Sequence, residues 1–268
     1  MAFSIQDSTG QGMINLLGSS KTKMSSLFRQ MASGSRVSQA QDGPALLGII
    51  SGMTSEIRGN SQAIGNINDG LSLTQVADSG MGQISDSLQQ LRELAVQSAN
   101  GTLTSADRAN IQTQADQIQS QISDVVNNTS FNGQSLLNAG QSISLQTGSG
   151  STDQTSLTMP DLSGAFGALD LTTQAGAASA ISSIDTSLAT LNQSRADIGG
   201  AQSGLETSLS NLQNTNVATQ SARSSMQDTD YGQASAGLAS STVKQQFNIA
   251  LMAQMNKLSS NSALGLLQ

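Results

Sequence analysis

The chain has 268 residues and a formal net charge of −7, and only 2% of its residues are aromatic. Since ordinary cores bury many aromatic side chains, this composition disfavours a conventional globular core and requires aliphatic side chains to pack along extended surfaces. The sequence has no His and no Cys, which removes the commonest metal ligands, the imidazole proton shuttle and the cysteine nucleophile. The acidic charge argues against nucleic acid or an anionic membrane as a partner.

The N-terminal sequence MAFSIQDSTGQGM lacks the basic and apolar regions of a cleavable secretion signal. No run of about 18 apolar residues occurs, so we expect no membrane insertion. If the protein leaves the cell, we expect an export route that reads something other than a cleavable signal.

The first predicted helix carries one apolar stripe, and the polar Ser20 occupies the position of the stripe between Leu17 and Met24. The members of the stripe are spaced by three and four residues, as one helix face requires; they are Met13, Leu17, Met24, Leu27 and Met31. The polar sequence ASGSRVSQAQDGP then interrupts the pattern. Pro44 suits the first turn of the next helix because its φ angle is fixed.

The second predicted helix is long, and Asp78 is a polar exception in its heptad pattern. The pattern is formed by Ile64, Ile67, Leu71, Thr74, Met81, Ile84, Leu88, Leu91 and Ala95. Asn100-Gly101 ends this helix, and Ser105 and Asp107 offer capping side chains for a third one. The third helix ends before the Phe131-Asn132-Gly133 turn, and its apolar face consists of Ile111, Ala115, Ile118, Ile122 and Val125.

The apolar period changes from helical to alternating between about residues 131 and 175. Ile143 and Leu145 alternate with polar residues, and so do Leu157 and Met159. This alternation predicts short strands that form a hairpin. The loop TGSGSTDQT between them is small and polar, so we expect it on the outside.

The most regular heptad pattern follows this region, and Arg195 and Gln202 are its polar exceptions. Its members are Ile181, Ile184, Leu188, Leu191, Ile198, Leu205, Leu209 and Leu212. A last amphipathic helix is predicted to pack through both its own apolar residues and the leucines that follow. These residues are Leu238, Val243, Phe247, Leu251, Met255, Leu258, Leu264, Leu266 and Leu267.

The elements together predict a mainly α protein. We expect a long antiparallel helical hairpin, or coiled-coil rod, with a small β-hairpin region at the turnaround. The helices at both ends are amphipathic, and one partner helix cannot cover every apolar stripe. We therefore expect further copies of the same chain to cover the remaining stripes, as in a homo-oligomer.

Several stretches resemble the bacterial flagellins, the subunits of the flagellar filament. They are SEIRGNSQAIGNINDGLSLTQVAD, LQQLRELAVQSANGT and SFNGQSLLN in the N-terminal half, and LNQSRADIGGAQSGLETSLSNLQN, SARSSMQDTDY and LGLLQ in the C-terminal half. The resemblance covers nearly the whole chain. It implies a structural subunit for swimming motility that is secreted and lies in the extracellular filament, and it implies a short form without large outer domains.

The resemblance also implies a domain plan and a set of partners. Residues 1–43 and 228–268 are expected to form an inner coiled-coil domain, and residues 44–227 a second helical domain that includes the β-hairpin region. Flagellins pass unfolded through the flagellar type III export system. They bind an export chaperone through the C-terminal helix, and they contact cap and hook-junction proteins, so the segment 247–267 is a candidate chaperone site.

The stretch LQQLRELAVQSANGT places a charged pair among regularly spaced leucines. In the flagellins this stretch contributes to axial packing between subunits and overlaps a site read by a Toll-like innate immune receptor. Arg92, Glu93 and Leu94 match that pattern, behind the apolar Leu88. Gln90 stands where a basic residue is common, and Gln114 where an acid is common. These two departures weaken the case for receptor recognition.

Other interpretations come from different functional classes. A hook-filament junction protein or a surface adhesin would share the terminal helices but would match LRELAVQSANGT less closely. An enzyme is disfavoured, because Asp228 and Asp230 have no base or nucleophile beside them and are better explained as helix caps. The stretch GGAQSG lacks the strand, Lys and helix context of a phosphate loop. The Ser- and Thr-rich segment 142–173 is expected to be solvated, and in flagellins such segments are often O-glycosylated.

Overall fold

The fold is mainly α, as predicted, in a computed structural model that describes the backbone of residues 2–265 and the side chains of residues 11–258, 260 and 261. The helices are α1 Ala2–Ser33, α2 Pro44–Ser98, α3 Ser105–Asn128, α4 Gln174–Gln227 and α5 Tyr231–Gly265. The strands are β1 Ser130–Phe131, β2 Gln134–Ser135, β3 Ser142–Gln146 and β4 Gln154–Thr158. No helix among the described residues is long and apolar enough to cross a membrane.

The chain divides into two compact units. The terminal unit contains Met1–Ser55 and Thr219–Gln268, and the middle unit contains Glu56–Ala218. The boundaries of the units fall inside α2 and α4. The division at residues 43/44 and 227/228, which the flagellin resemblance implies, stays a prediction.

The predicted helix ends are set by local chemistry. Helix α2 begins at Pro44, and the Asp42 carboxylate accepts hydrogen bonds from the backbone N–H groups of Ser38 and Gln39 in the preceding loop. Helix α3 begins with a capping box between Thr104 and Asp107. The cap is thus Thr104 rather than Ser105, which is the first helical residue. Hydrogen bonds from Thr104 lower the pKa of the Asp107 carboxyl.

The core of the middle unit is formed by α2, α3 and α4 together with residues 136–137, β4 and the segment that follows β4. Most of the predicted heptad positions are buried in it, and their side chains are aliphatic. The largest fully buried side chains in this core include Met81, Ile84, Leu91, Ile122, Leu136, Leu137, Leu157, Met159, Leu162, Leu171 and Ile184. The core therefore depends on close packing of aliphatic groups and not on aromatic rings.

The polar exceptions in two predicted heptad patterns are partners. Arg195 of α4 donates hydrogen bonds from Nε and Nη2 to the two carboxylate oxygens of Asp78 on α2, at 2.8 and 3.4 Å. The hydrogen bond to Asp78 raises the pKa of Arg195. Because each residue lies within its helix's apolar series, the pair favours one register of α4 along α2.

The predicted hairpin is present, and a smaller one precedes it. Strands β3 and β4 are antiparallel, with Ile143 opposite Leu157. Strands β1 and β2 are joined by Asn132 and Gly133, whose φ angles of 50° and 79° lie in the left-handed region that Asn and Gly tolerate best. Alternation predicted the β3–β4 hairpin, whereas the smaller hairpin forms at the Phe131-Asn132-Gly133 turn, which the sequence analysis identified only as the end of the third helix.

Glycines on α2 allow the hairpin region to approach closely. A Cβ atom on Gly59 would lie 2.7 Å from Cβ of Ser149, and one on Gly70 would lie 2.4 Å from a methyl group of Leu145. A Cβ atom on Gly80 would lie 2.8 Å from Oγ1 of Thr129. At Gly59 a Cβ atom would also lie 3.2 Å from the Ser149 Cα, so a larger residue there requires the hairpin loop to move, whereas at Gly70 and Gly80 the nearest atoms belong to side chains.

Part of the segment 142–173, which the sequence analysis expected to be solvated, is buried and completes the core. The strap, residues 159–171, places Leu162 and Leu171 in the core. The Gln112 side chain donates to the Leu169 carbonyl at 2.9 Å and accepts from the Leu171 amide at 2.6 Å. Gln119 donates to the Gly167 carbonyl at 2.9 Å. Two glutamines of α3 therefore hold a segment that has no regular secondary structure.

We predict that Gly59→Ala destabilises the protein by about 1–3 kcal/mol, because the new methyl group would overlap the Ser149 backbone region. Gly82→Ala is the matched control on the same helix, since nothing lies within 4 Å of a Cβ at that position. The control is expected to stabilise by about 0.5–1 kcal/mol through helix propensity. Urea denaturation followed by circular dichroism measures both; equal effects of the two variants would contradict the close approach.

We predict that Gln112→Leu destabilises the protein by about 1–3 kcal/mol, since the Leu169 carbonyl and the amide of the buried Leu171 lose their hydrogen-bond partner. Gln114→Leu is the control, because Gln114 is exposed on the same helix. Hydrogen exchange should show faster exchange of the Leu171 amide in the Gln112 variant alone. Unchanged exchange at Leu171 would mean that the strap does not depend on Gln112.

Candidate subunit-packing surfaces

Helices α1 and α5 form an antiparallel pair in the terminal unit. The Tyr231 hydroxyl at the start of α5 donates to the Met31 carbonyl near the end of α1, at 2.8 Å. Further along, the Ser20 hydroxyl donates to the Ser241 carbonyl at 3.5 Å. Because residue numbers fall on α1 as they rise on α5, the two helices run in opposite directions.

The base of this pair is tied by backbone hydrogen bonds. The Arg36 amide donates to the Gln227 carbonyl at 2.7 Å, and the Thr229 amide donates to the Gly34 carbonyl at 3.0 Å. Arg36 also donates from its guanidinium to the Met226 carbonyl at 2.9 Å. The Asp230 carboxylate accepts from the Gln233 amide at 3.1 Å, which is the capping role expected for it. The two segments that connect the terminal helices to the rest of the chain therefore lie side by side.

The predicted stripe of α1 faces α5. Met24 and Leu27 lie beside Thr242 and Gly237 of α5. All the predicted packing residues of this helix are half-buried in the terminal unit; they are Met13, Leu17, Met24, Leu27 and Met31. Other apolar residues of α1 are exposed, and the sequence analysis did not identify them as packing residues: Ile14, Leu16 and Phe28.

The predicted stripe of α5 is divided between two faces of the helix. Leu238 and Met255 are half-buried, on the side of the buried Ala234 and Ser241. The other predicted residues are exposed within one chain: Val243 at 65%, Phe247 at 63%, Leu251 at 39% and Leu258 at 54%. The side chain of Leu264, and Leu266 and Leu267 entirely, lie outside the described residues. Helix α5 thus has a second apolar face that its own chain leaves uncovered.

The charges of the terminal helices differ from those of the whole chain. Helix α5 contains Lys244 and Lys257 and no acidic residue. Lys23 of α1 and Lys244 of α5 line one groove of the helix pair, together with Leu16 and Asn248. The net acidity of the chain therefore does not come from these helices. A partner that packs on the second apolar face of α5 meets lysine side chains next to that face.

A second candidate surface lies on α2 in the middle unit. Leu88 and Leu91 are buried, Leu94 is half-buried, and Gln90 and Glu93 are exposed. A shallow groove on this side is lined by Gln89, Arg92, Glu93, Val96 and Gln97. Gln114 is exposed on α3 and does not line this groove.

The charged pair inside this stretch is explained by helix pairing. Arg92 donates from Nε to the Asp185 carboxylate of α4 at 2.7 Å, and both side chains are about half exposed. This hydrogen bond raises the pKa of Arg92. Arg92 therefore connects α2 to α4 at the edge of the core, whereas Glu93 points to the exposed side.

Family models match most of the chain. The bacterial flagellin N-terminal helical region matches residues 9–142, and the bacterial flagellin C-terminal helical region matches residues 181–267. A flagellin of Halalkalibacterium halodurans is 34% identical over 236 residues, which is 86% of this chain and 87% of that protein. The flagellar filament 30.7 kDa core protein of Treponema maltophilum is 27% identical over 92% of this chain and 93% of its own. The phase 1 flagellin of Salmonella naestved is 37% identical over 134 residues, which is 50% of this chain and 26% of that protein.

Solved structures show the same fold. The Bacillus cereus flagellin has a TM-score of 0.52 at 30% identity, over 59% of this chain and 94% of that one. A putative flagellar hook-associated protein of Vibrio parahaemolyticus has a TM-score of 0.61 at 15% identity, over 70% of this chain and all of that one. The second likeness shows the fold alone. With both terminal helical regions matched and a relative aligned along most of its length, this chain belongs to the bacterial flagellin family.

Proposed function

We propose that the second apolar face of α5 and the exposed apolar residues of α1 are the surfaces through which copies of this subunit pack. The protein is a structural subunit of the flagellar filament, as its family establishes. The observation that carries the packing proposal is the exposure of Val243, Phe247, Leu251 and Leu258 beside a helix face that α1 already covers.

The free energy of packing supports this assignment. Burying one Leu, Val or Phe side chain stabilises by about 1.5–3 kcal/mol. A pair of helices held by one half-buried seam leaves this gain unrealised, whereas neighbouring copies can provide it. A surface that meets a different surface of the next copy generates an open helical assembly when the rotation between copies does not close into a ring, and this is the geometry of a filament.

The domain plan supports an inner and an outer layer. In our proposal, residues 1–43 and 228–268 form the inner coiled-coil domain and residues 44–227 form the second domain. The pairing of α1 with α5, and the separate core of the middle unit, support this plan. The groove from Gln89 to Gln97 on α2 is then an axial contact between neighbouring middle units, with the exposed Val96 as its apolar contact.

The extracellular location of the filament follows from the family. The export route and the other protein partners are part of our proposal. Flagellins form an extracellular filament, so this subunit must be exported. We assign export to the flagellar type III system, and chaperone binding to the segment 247–267, where Phe247 and Leu258 are exposed before assembly. Cap and hook-junction proteins would meet the ends of the filament. Recognition by a Toll-like receptor has weaker support, because Gln90 and Gln114 replace charged residues of that surface.

No specific observation favours the alternative functions. A hook-filament junction protein would share the fold, and the hook-associated likeness extends to the fold only. An adhesin would require a binding surface beyond the two described here. We assign no catalytic role to this structural protein.

We predict that Phe247→Ala combined with Leu251→Ala raises the critical concentration for seeded polymerisation at least ~10-fold, because both side chains lie at the centre of the proposed interface. Val217→Ala is the control, since Val217 is exposed at 67% but lies on α4 in the middle unit. Sedimentation of polymer from soluble subunit measures both. An equal rise in the critical concentration of the control would contradict a specific role of α5 in assembly.

A truncation after Tyr231 provides a second test of the structural role. Electron microscopy of the intact chain with added filament fragments is expected to show long tubular filaments, and the truncated chain none, because the truncation removes almost all of α5. Dispersed protein or short collars from the intact chain would favour the junction protein or the adhesin.

A further inference from the structure

Methionine is concentrated where the two terminal helices meet. Met13, Met24 and Met31 lie on the face of α1 that packs against α5, and Met252 and Met255 lie on α5. All of them are half-buried within one chain. The methionines of the middle unit differ, because Met81 is 0% exposed and Met159 is 1% exposed. Among the described residues, the thioethers at the helix pair thus differ from those of the core, while Met53 and Met226 are half-buried outside the helix pair.

We propose that this methionine seam, consisting of Met13, Met24, Met31, Met252 and Met255, is an oxidative modification site that controls assembly. The reactants are two-electron oxidants of the peroxide class. Hydrogen peroxide transfers one oxygen atom to a thioether sulfur, which is oxidised to the sulfoxide while the peroxide is reduced to water. The oxidation needs no other co-reactant. Methionine sulfoxide reductases reverse it with a dithiol reductant, which is oxidised to a disulfide as the sulfoxide oxygen leaves as water.

The seam is sensitive because little else holds it together. Between the half-buried methionines lie Leu17 and Leu27 of α1, and opposite them Ser241 is buried and Gly237 provides only a Cα hydrogen surface. The Thr242 hydroxyl lies 3.9 Å from the sulfur of Met24, at the edge of the seam. A sulfoxide replaces an apolar, flexible group by a polar one, which disrupts Met-rich interfaces. Oxidation should therefore separate α1 from α5.

The consequence for the filament rests on the proposed function. A subunit whose terminal helices separate cannot present the second apolar face of α5 in a fixed position. The unassembled subunit is then the vulnerable form, whereas a subunit in the filament has its seam covered by neighbouring copies. Oxidation would act as a barrier to assembly and not as a cause of disassembly.

The first measurement maps oxidation in the unassembled protein. Limited hydrogen peroxide treatment followed by peptide mass spectrometry should show the seam methionines reacting at least ~10-fold faster than Met81 and Met159, because the core must open before peroxide reaches those two. Hydrogen exchange of the same samples should show faster exchange in α1 and α5 and no change in α3. Equal oxidation of the two groups, or unchanged exchange in α1 and α5, would overturn the proposal.

The second measurement separates this proposal from the proposed function. Seeded polymerisation of untreated protein tests the proposed function alone. Peroxide treatment should then raise the critical concentration of the same protein at least ~10-fold, as expected for loss of a central interface contact. The matched variant carries Leu at all five seam positions, a substitution that nearly conserves volume. The critical concentration of this variant before peroxide is its own reference, and peroxide should leave that value unchanged, whereas reductase treatment should restore the oxidised natural sequence. If peroxide inhibits the Leu variant equally, the seam is not the site.

Discussion

The structure depends on the requirement that every apolar helix face be covered. In the middle unit, α2, α3 and α4 cover one another, and the strap closes the remaining side through Leu162 and Leu171. In the terminal unit, α1 covers one face of α5 and leaves Phe247 and its neighbours in solvent. The same physical requirement is therefore met within one unit, whereas in the other it leaves an exposed apolar face that our proposal assigns to neighbouring copies.

Polar side chains supply the register that aliphatic packing lacks. Leucine and isoleucine faces can slide past one another with small changes in buried area, whereas a guanidinium meets a carboxylate in few positions. Asp78 with Arg195, and Arg92 with Asp185, join α2 to α4 at separate points. These partly exposed pairs contribute little to stability, and their role is to favour one alignment of two long helices.

Small residues play the complementary role in this core. A chain with few aromatic side chains gains its packing from many close contacts, and Gly59, Gly70 and Gly80 let the hairpin region approach α2 closely. The terminal helices use Ser and Gly together with methionine instead, so their seam is thinner. In our proposals, these helices complete their packing on assembly, and the thin seam leaves methionine sulfur atoms accessible to oxidants before assembly.

The sequence by itself determined the helices and several of their ends, because heptad spacing, Pro44 and Asn100-Gly101 act within a few positions of one another. Alternation likewise predicted the β3–β4 hairpin. Only the tertiary structure decided that Asp78 meets Arg195, that Gln112 holds the strap, and which apolar face of α5 packs against α1. These features join segments far apart in the chain, and a helical period shows which residues can be buried without showing which partner buries them.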